Sequence, residues 1–68
     1  MSAVDMILNK VKKRDESFEV YTYDNGYLIQ VGGRNEDDDW ATAKVFVESI
    51  EDVQAAVGVI LKEIPVNS

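Results

Sequence analysis

The side chains of this chain that could do chemistry are carboxylates, tyrosines and lysines, because the sequence contains no histidine and no cysteine. Enzymes with an activated nucleophile need a base whose pKa lies near neutral pH. Tyr21, Tyr23 and Lys44 could share one sheet face, but their spacing is also that of ordinary strand surface. The sequence therefore predicts no catalytic residues and a protein that is not an enzyme. The remaining chemical alternative is a small-molecule site that uses Tyr21, Tyr23 and Trp40.

A run of acids, Glu36, Asp37, Asp38 and Asp39, is the first candidate for a metal site. Calcium loops alternate their ligands, place a glycine at the turn and end in a bidentate acid. These four acids are consecutive, and no acid follows them at the required distance. We therefore expect a solvated loop without a metal ion or another cofactor. An alternative is that the carboxylates imitate nucleic-acid phosphates and contact a basic surface of another protein.

The overall charge is acidic, with thirteen Asp and Glu against seven Lys and Arg and a formal net charge of -6. Binders of nucleic-acid phosphate normally have the opposite balance, because Lys and Arg displace the counterions. The composition thus predicts that nucleic acid is not the partner. No apolar run approaches the roughly 18 residues of a membrane span, and no signal segment is recognisable. We expect a soluble cytoplasmic protein that does not bind a membrane.

An amphipathic helix is predicted from residue 2 to about residue 14. Its apolar positions recur at helical spacing and are Val4, Ile7, Leu8 and Val11. The basic residues Lys10, Lys12, Lys13 and Arg14 fall at its end. Cations are favourable in the last turn of a helix, so we interpret this cluster as helix-end charge rather than as a ligand-binding patch.

Two antiparallel strands are predicted within residues 18–31, joined by a tight Asn25-Gly26 turn. In that register Val20 faces Val31. One face is then mainly aliphatic and suits the core. The other face carries Glu19, Tyr21, Tyr23, Leu28 and Gln30. A third strand, residues 40–48, places Trp40 and Phe46 beside these residues.

A second helix is predicted after Ser49, because Ser49 and Asp52 match an N-terminal capping pattern and Pro65 must lie beyond its end. Its core stripe is Val53, Val57, Ile60, Leu61 and Ile64. The predicted fold is a single α+β domain of residues 1–68, in the order helix, three-stranded antiparallel sheet, helix. Both helices should pack on one sheet face, since only that arrangement covers its aliphatic side.

The chain carries more apolar surface than this fold can bury. A domain of this size buries only about 60% of its unfolded surface and often depends on a partner chain. The candidates for self-association are the aromatic sheet face and the uncharged back of the second helix. Their residues are Tyr21, Tyr23, Leu28, Trp40, Phe46, Ala55 and Val59. We therefore expect a homodimer.

The order of elements, the length and a Ser49-capped final helix with Ala55 and Ala56 resemble the double-stranded-RNA-binding domain. In that family two lysines after the serine hold RNA phosphates. Here Ile50 and Glu51 stand at those positions. The resemblance implies a scaffold retained for dimerisation, or one that contacts nucleic acid through the basic residues 10–14.

By its size, acidity and lack of catalytic residues, the chain also resembles the small inhibitors that phages encode against host enzymes. That resemblance implies a protein that occupies a site on another protein, sometimes as a charge mimic and often as a dimer. The functional hypothesis is therefore a non-enzymatic homodimer whose loop 36–39 binds a protein with a basic surface.

Overall fold

The computed structural model describes residues 3–66, which contain two helices and one antiparallel sheet of four strands. In chain order the elements are α1 (Ala3–Lys10), β1 (Lys13–Arg14), β2 (Glu19–Tyr23), β3 (Gly26–Arg34), β4 (Trp40–Val47) and α2 (Ile50–Glu63). The predicted α+β class is confirmed, with α1 packed over β4 and α2 against β3 and α1. The sheet has four strands rather than the predicted three, because β1 adds a short strand after α1. The predicted first helical residue, residue 2, lies outside the described residues.

α1 ends earlier than predicted, because the chain after it joins the sheet. Ile7 and Val11 are buried as their spacing indicated, but the helix stops at Lys10. The backbone N–H of Lys12 donates to the carbonyl of Arg34 over 2.8 Å, and the next two residues pair with β3 as β1. The prediction that residues 12–14 form the last helical turn is therefore wrong. Pairing with a distant strand overrides the local preference for helix.

β3 lies at the centre of the sheet. β4 pairs with one edge of it, and β2 and β1 pair in succession with the other. Residues 15–18 lie opposite Val31 and Gly32 alone, so the chain bulges between β1 and β2. Gly33 is required where β1 crosses, because a Cβ there would collide with the carbonyl oxygen of Lys13.

The β2–β3 turn consists of Asp24 and Asn25, and Gly26 is the first residue of β3. Val20 faces Ile29 rather than Val31, so the predicted register is wrong by two residues. A shift of two leaves every side chain on its predicted face. The reason for glycine is a contact from β4: a Cβ at residue 26 would lie 2.5 Å from Cζ of Phe46.

The core lies between the inner sheet face and the two helices. Its buried side chains are Ile7, Val11, Ile29, Val31, Ala43, Val45, Val47, Val53, Ala56, Ile60 and Ile64. The cap of α2 is as predicted, since the Ser49 hydroxyl accepts the Asp52 N–H over 3.2 Å. Leu61 was predicted in the core stripe but is exposed. Neither helix in the described part of the chain has the length and apolarity needed to cross a bilayer.

Candidate protein-interaction surfaces

The outer face of the sheet, which points away from the helices, is uncovered within residues 3–66. Along β4 the side chains alternate between buried and exposed positions, and those of Trp40 and Phe46 point outward. Trp40 is 68% exposed and Phe46 47%. Tyr21 and Tyr23 of β2 lie on the same face and are 39% and 54% exposed.

Tyr21, Tyr23 and Phe46, together with Leu28 of β3 on the same face, form an aromatic patch near the β2–β3 turn. Tyr21 faces Leu28 across β2 and β3, and Leu28 faces Phe46 across β3 and β4. The ring centroids of Tyr23 and Phe46 are 6.4 Å apart. Edge-on and tilted rings at this distance attract one another, so the patch is held in place from three strands.

Trp40 lies on the same face but at the opposite end of β4. It lies six positions before Phe46, a distance of roughly 20 Å along a strand. The rows between them carry polar side chains and Gly32. The structure thus corrects the expectation that Trp40 lies beside the tyrosines. It also gives the three residues of the small-molecule alternative no common site.

Arg34 holds Trp40 in place at that end. Its guanidinium carbon lies 4.2 Å from the centroid of the Trp40 ring, a cation–π contact. The same guanidinium donates from Nη1 to the carbonyl of Asp38 over 3.0 Å. Arg34 therefore links the tryptophan to the neighbouring acidic loop.

The acidic loop, residues 36–39, joins β3 to β4 and is ordered by Asn35. The Oδ1 of Asn35 accepts the backbone N–H groups of Asp37 over 2.9 Å and Asp39 over 3.1 Å. Asp38 has φ 64, in the left-handed region that aspartate tolerates better than most residues. The side chains of Glu36, Asp37, Asp38 and Asp39 are all exposed. Across residues 3–66, no set of three or more acidic side chains is placed to hold a metal ion.

The other self-association candidates, Ala55 and Val59, lie on α2 and therefore on the opposite side of the sheet from the aromatic patch. Ala55 is exposed and Val59 half-buried. Leu61, which the spacing had assigned to the core, adds a large exposed side chain to this helix. The structure thus places the two sets of self-association candidates on opposite sides of the molecule.

Arg14 is a residue whose role the sequence did not reveal. Its side chain is 8% exposed, and its Nε donates to the carbonyls of Ile60 over 3.2 Å and Ile64 over 3.0 Å. These carbonyls belong to the C-terminal end of α2, where a cation is favourable. Lys12 and Lys13 precede it, so the one available signal was the guanidinium, which carries several N–H donors on a rigid plane where an ammonium has one centre.

The burial of Arg14 also removes it from the basic cluster. Lys12 donates from Nζ to the carbonyl of Leu8 over 2.9 Å and so satisfies the end of α1. Lys10 and Lys13 are exposed. The cluster is therefore smaller and less concentrated than the sequence indicated.

Tyr21 is a poor candidate for a general base. Its hydroxyl donates to Oε2 of Glu19 over 2.6 Å. This hydrogen bond is the main reason why the pKa of Tyr21 is raised above its ordinary value. A tyrosine with a raised pKa stays protonated near neutral pH.

A shallow groove of about 200 Å³ lies between α1 and β4. Its lining residues are Met6, Asn9, Lys10, Ala43, Lys44 and Val45. Residues from both faces of β4 line it, so it follows the strand's edge. Small-molecule sites usually enclose about 300–1,000 Å³, which makes the groove too small for most such ligands.

Comparisons with protein-family models, curated proteins and solved structures found no match to this chain.

Proposed function

We propose that this chain is a non-enzymatic interaction protein that associates with a second copy of itself and binds another protein. The observation that carries the proposal is the uncovered aromatic patch together with exposed Trp40. Tyrosine and tryptophan dominate the energetics of protein interfaces, because each brings a large ring and one polar group. Soluble monomers rarely expose contiguous apolar patches larger than about a few hundred Å², and larger ones mark interaction sites.

The acidic loop is the surface that we assign to the other protein. Its four carboxylates are exposed on a loop whose backbone is held by Asn35. The formal net charge of -6 attracts a basic surface over distance and accelerates the encounter. If that surface is a substrate groove, its occupation inhibits the enzyme, which is the mode of the phage inhibitors that the chain resembles. A chain without cysteine fits the reducing cytoplasm, where we place it.

Charge reversal tests the role of the loop. Replacing Glu36, Asp37 and Asp39 by lysine spares Asn35, which orders the loop, and Asp38, whose φ disfavours most side chains. The matched control replaces the exposed acids Glu16, Asp24 and Glu63 by lysine and changes the net charge equally.

Affinity capture from a lysate of the source cells, followed by mass spectrometry, compares the two variants with the natural chain. We expect proteins captured by the natural chain to be lost with the loop variant and kept with the control. Retention of the same proteins by the loop variant at the same salt would contradict the electrostatic role of the loop.

A further inference from the structure

The outer edge of β4 is an unpaired strand edge. Within residues 3–66, β4 pairs with β3 alone, and its eight residues run from Trp40 to Val47 without a proline. Lys44 is its one charged residue. Natural proteins normally protect such an edge with charges, prolines, bulges or a covering segment, because it offers free N–H and C=O groups to another strand.

The edge of β1 shows what such protection is like in this fold. The N–H of Arg14 donates to the carbonyl of Pro65 over 2.9 Å, and Arg14 forms a parallel bridge with Val66. The C-terminal segment thus covers β1. No described segment lies along β4 in this way, and the groove beside α1 stays open there.

We propose, building on the self-association in the proposed function, that β4 pairs antiparallel with β4 of a second copy about a two-fold axis at Ala43. An axis perpendicular to the sheet keeps the two outer faces on the same side. Trp40 then faces Phe46 of the second copy, and Thr42 faces Lys44 of the second copy. The two four-stranded sheets become one continuous sheet, an isologous interface of the kind that C2 dimers use.

The sequence of β4 favours this register over its neighbours. An axis at Lys44 would place two ammonium groups opposite one another, which is destabilising. An axis at Thr42 would place Phe46 opposite Asp38 in the acidic loop, and an axis at Val45 would leave Trp40 beyond the end of the second strand. With the axis at Ala43, both aromatic residues have an aromatic partner, and aromatic cross-strand pairs are among the most stabilising.

This pairing also brings together Trp40 and the aromatic patch, which lie at opposite ends of β4 in a single copy. Trp40 of one copy comes beside the aromatic patch of the other, at both ends of the new strand pair. On the inner face, Ala41 faces Val45 of the second copy. The two α1 helices, which pack over β4, come together across the axis and cover Met6, which is 46% exposed in the single copy.

Charge favours β4 as the contact between two acidic chains. β4 contains a lysine and no acid, and the groove beside it is lined by Lys10 and Lys44. Two copies with a formal net charge of -6 each repel one another, so a contact strand that carries a lysine and no acid costs less than one that contains an acid, although Asp39 and Glu48 flank β4. The other free edge within residues 3–66 is that of β2, which is shorter, at five residues, and contains an acid, Glu19.

Disulfide cross-linking between introduced cysteines tests this register directly, because the chain has no cysteine of its own. Thr42→Cys and Lys44→Cys are exposed substitutions on the outer face. Mixed under oxidising conditions, the two variants should form predominantly the mixed disulfide, since each residue faces the other across the axis. The matched control is a mixture of Val20→Cys and Thr22→Cys on the edge strand β2, which should not cross-link.

Other cross-linking patterns would overturn the inference. A disulfide between two copies of Lys44→Cys, or between two copies of Thr42→Cys, would place the axis at that residue instead. Cross-linking of the β2 mixture in preference to the β4 mixture would place the interface at the other edge.

Charge at position 42 tests the same contact at equilibrium. Thr42→Lys places a second cation opposite Lys44 twice in the dimer, and Thr42→Glu places an anion there. From the size of cross-strand charge pairs, we expect the dissociation constant to rise about 2- to 30-fold for Thr42→Lys and to fall by a similar factor for Thr42→Glu. Sedimentation equilibrium measures both constants, and circular dichroism checks that each variant is folded.

The failures of the two proposals are distinguishable. A natural chain that is monomeric at every concentration would overturn both this inference and the self-association in the proposed function. A dimer whose dissociation constant changes with neither Thr42→Lys nor Thr42→Glu, and that forms no mixed disulfide, would overturn the β4 interface alone. Capture of another protein through the acidic loop is measured separately and depends on neither result.

Discussion

Arg14→Met should destabilise the fold more than its position among exposed lysines suggests. Methionine keeps the apolar stem of the side chain but removes the guanidinium that donates to the carbonyls of Ile60 and Ile64. Both carbonyls lie at the buried C-terminal end of α2. After the substitution they lose a charged donor and the favourable interaction of the helix dipole with a cation.

The magnitude follows from these contacts and the burial of Arg14. Hydrogen bonds to charged groups contribute about 1.5–3 kcal/mol, and a partly buried cation at a helix C-terminus contributes up to about 2 kcal/mol. Removing a buried charge also recovers part of its desolvation cost. We therefore expect a net loss of about 2–3 kcal/mol, a large part of the roughly 3–10 kcal/mol that a chain of this length has in total.

Urea unfolding followed by far-UV circular dichroism measures this loss, with all variants at one protein concentration because self-association adds to stability. Lys13→Met is the matched control, since Lys13 is adjacent, equally charged and exposed. Its expected cost is below about 0.5 kcal/mol. If Arg14→Met costs no more than Lys13→Met, the contact with α2 does not stabilise the fold and the reasoning is refuted.

Three further predictions concern glycines, a tyrosine and RNA. Gly33→Ala should destabilise the fold by about 1–3 kcal/mol, because its Cβ would collide with β1. Gly58→Ala in α2 meets nothing within 4 Å and should stabilise the fold by about 0.5–1 kcal/mol. Thermal unfolding compares the two variants, and equal effects would contradict the close approach of β1 to Gly33. Glu19→Gln should lower the pKa of Tyr21, measured by ultraviolet titration, since the carboxylate raises it. The stabilisation from that hydrogen bond is present below the pKa of tyrosine in the unfolded chain, about 10, and is lost as the pH rises through the higher pKa of Tyr21 in the folded chain. If Glu19→Gln leaves the pKa of Tyr21 unchanged, the hydrogen bond does not raise it. The chain should not bind duplex RNA even at low salt, where phosphate contacts are strongest, because the chain is acidic and Arg14 is buried. Binding of duplex RNA in a filter-retention assay would support the RNA-binding alternative instead.

The faces of the strands could be predicted from the sequence because alternation is a local property. Tyr21, Leu28 and Phe46 lie outward and Ile29 inward, as their positions indicated. The exact pairing of β2 with β3 could not be predicted. The contact that fixes Gly26 as a strand residue comes from Phe46, twenty residues further along the chain.

The end of α1 was not predictable for the same physical reason. Lys13 and Arg14 have side chains that suit a helix, and pairing with the edge of β3 and with the C-terminal segment draws them into the sheet. The burial of Arg14 follows from this tertiary contact.

The candidate site was predicted in composition but not in arrangement. The residues of the aromatic patch were identified from their types, and the acidic loop from its charge. The separation of Trp40 from Tyr21 and Tyr23 depends on how β2 and β4 each pair with β3, and this pairing could not be predicted from the strands taken singly.

Self-association is the central claim, and light scattering behind size-exclusion chromatography tests it most directly. The chain should reach a mass of twice 7.6 kDa at high concentration and dissociate on dilution. Added salt should favour the dimer, because it screens the repulsion between two acidic copies. A mass of 7.6 kDa at every concentration and every salt would contradict the claim.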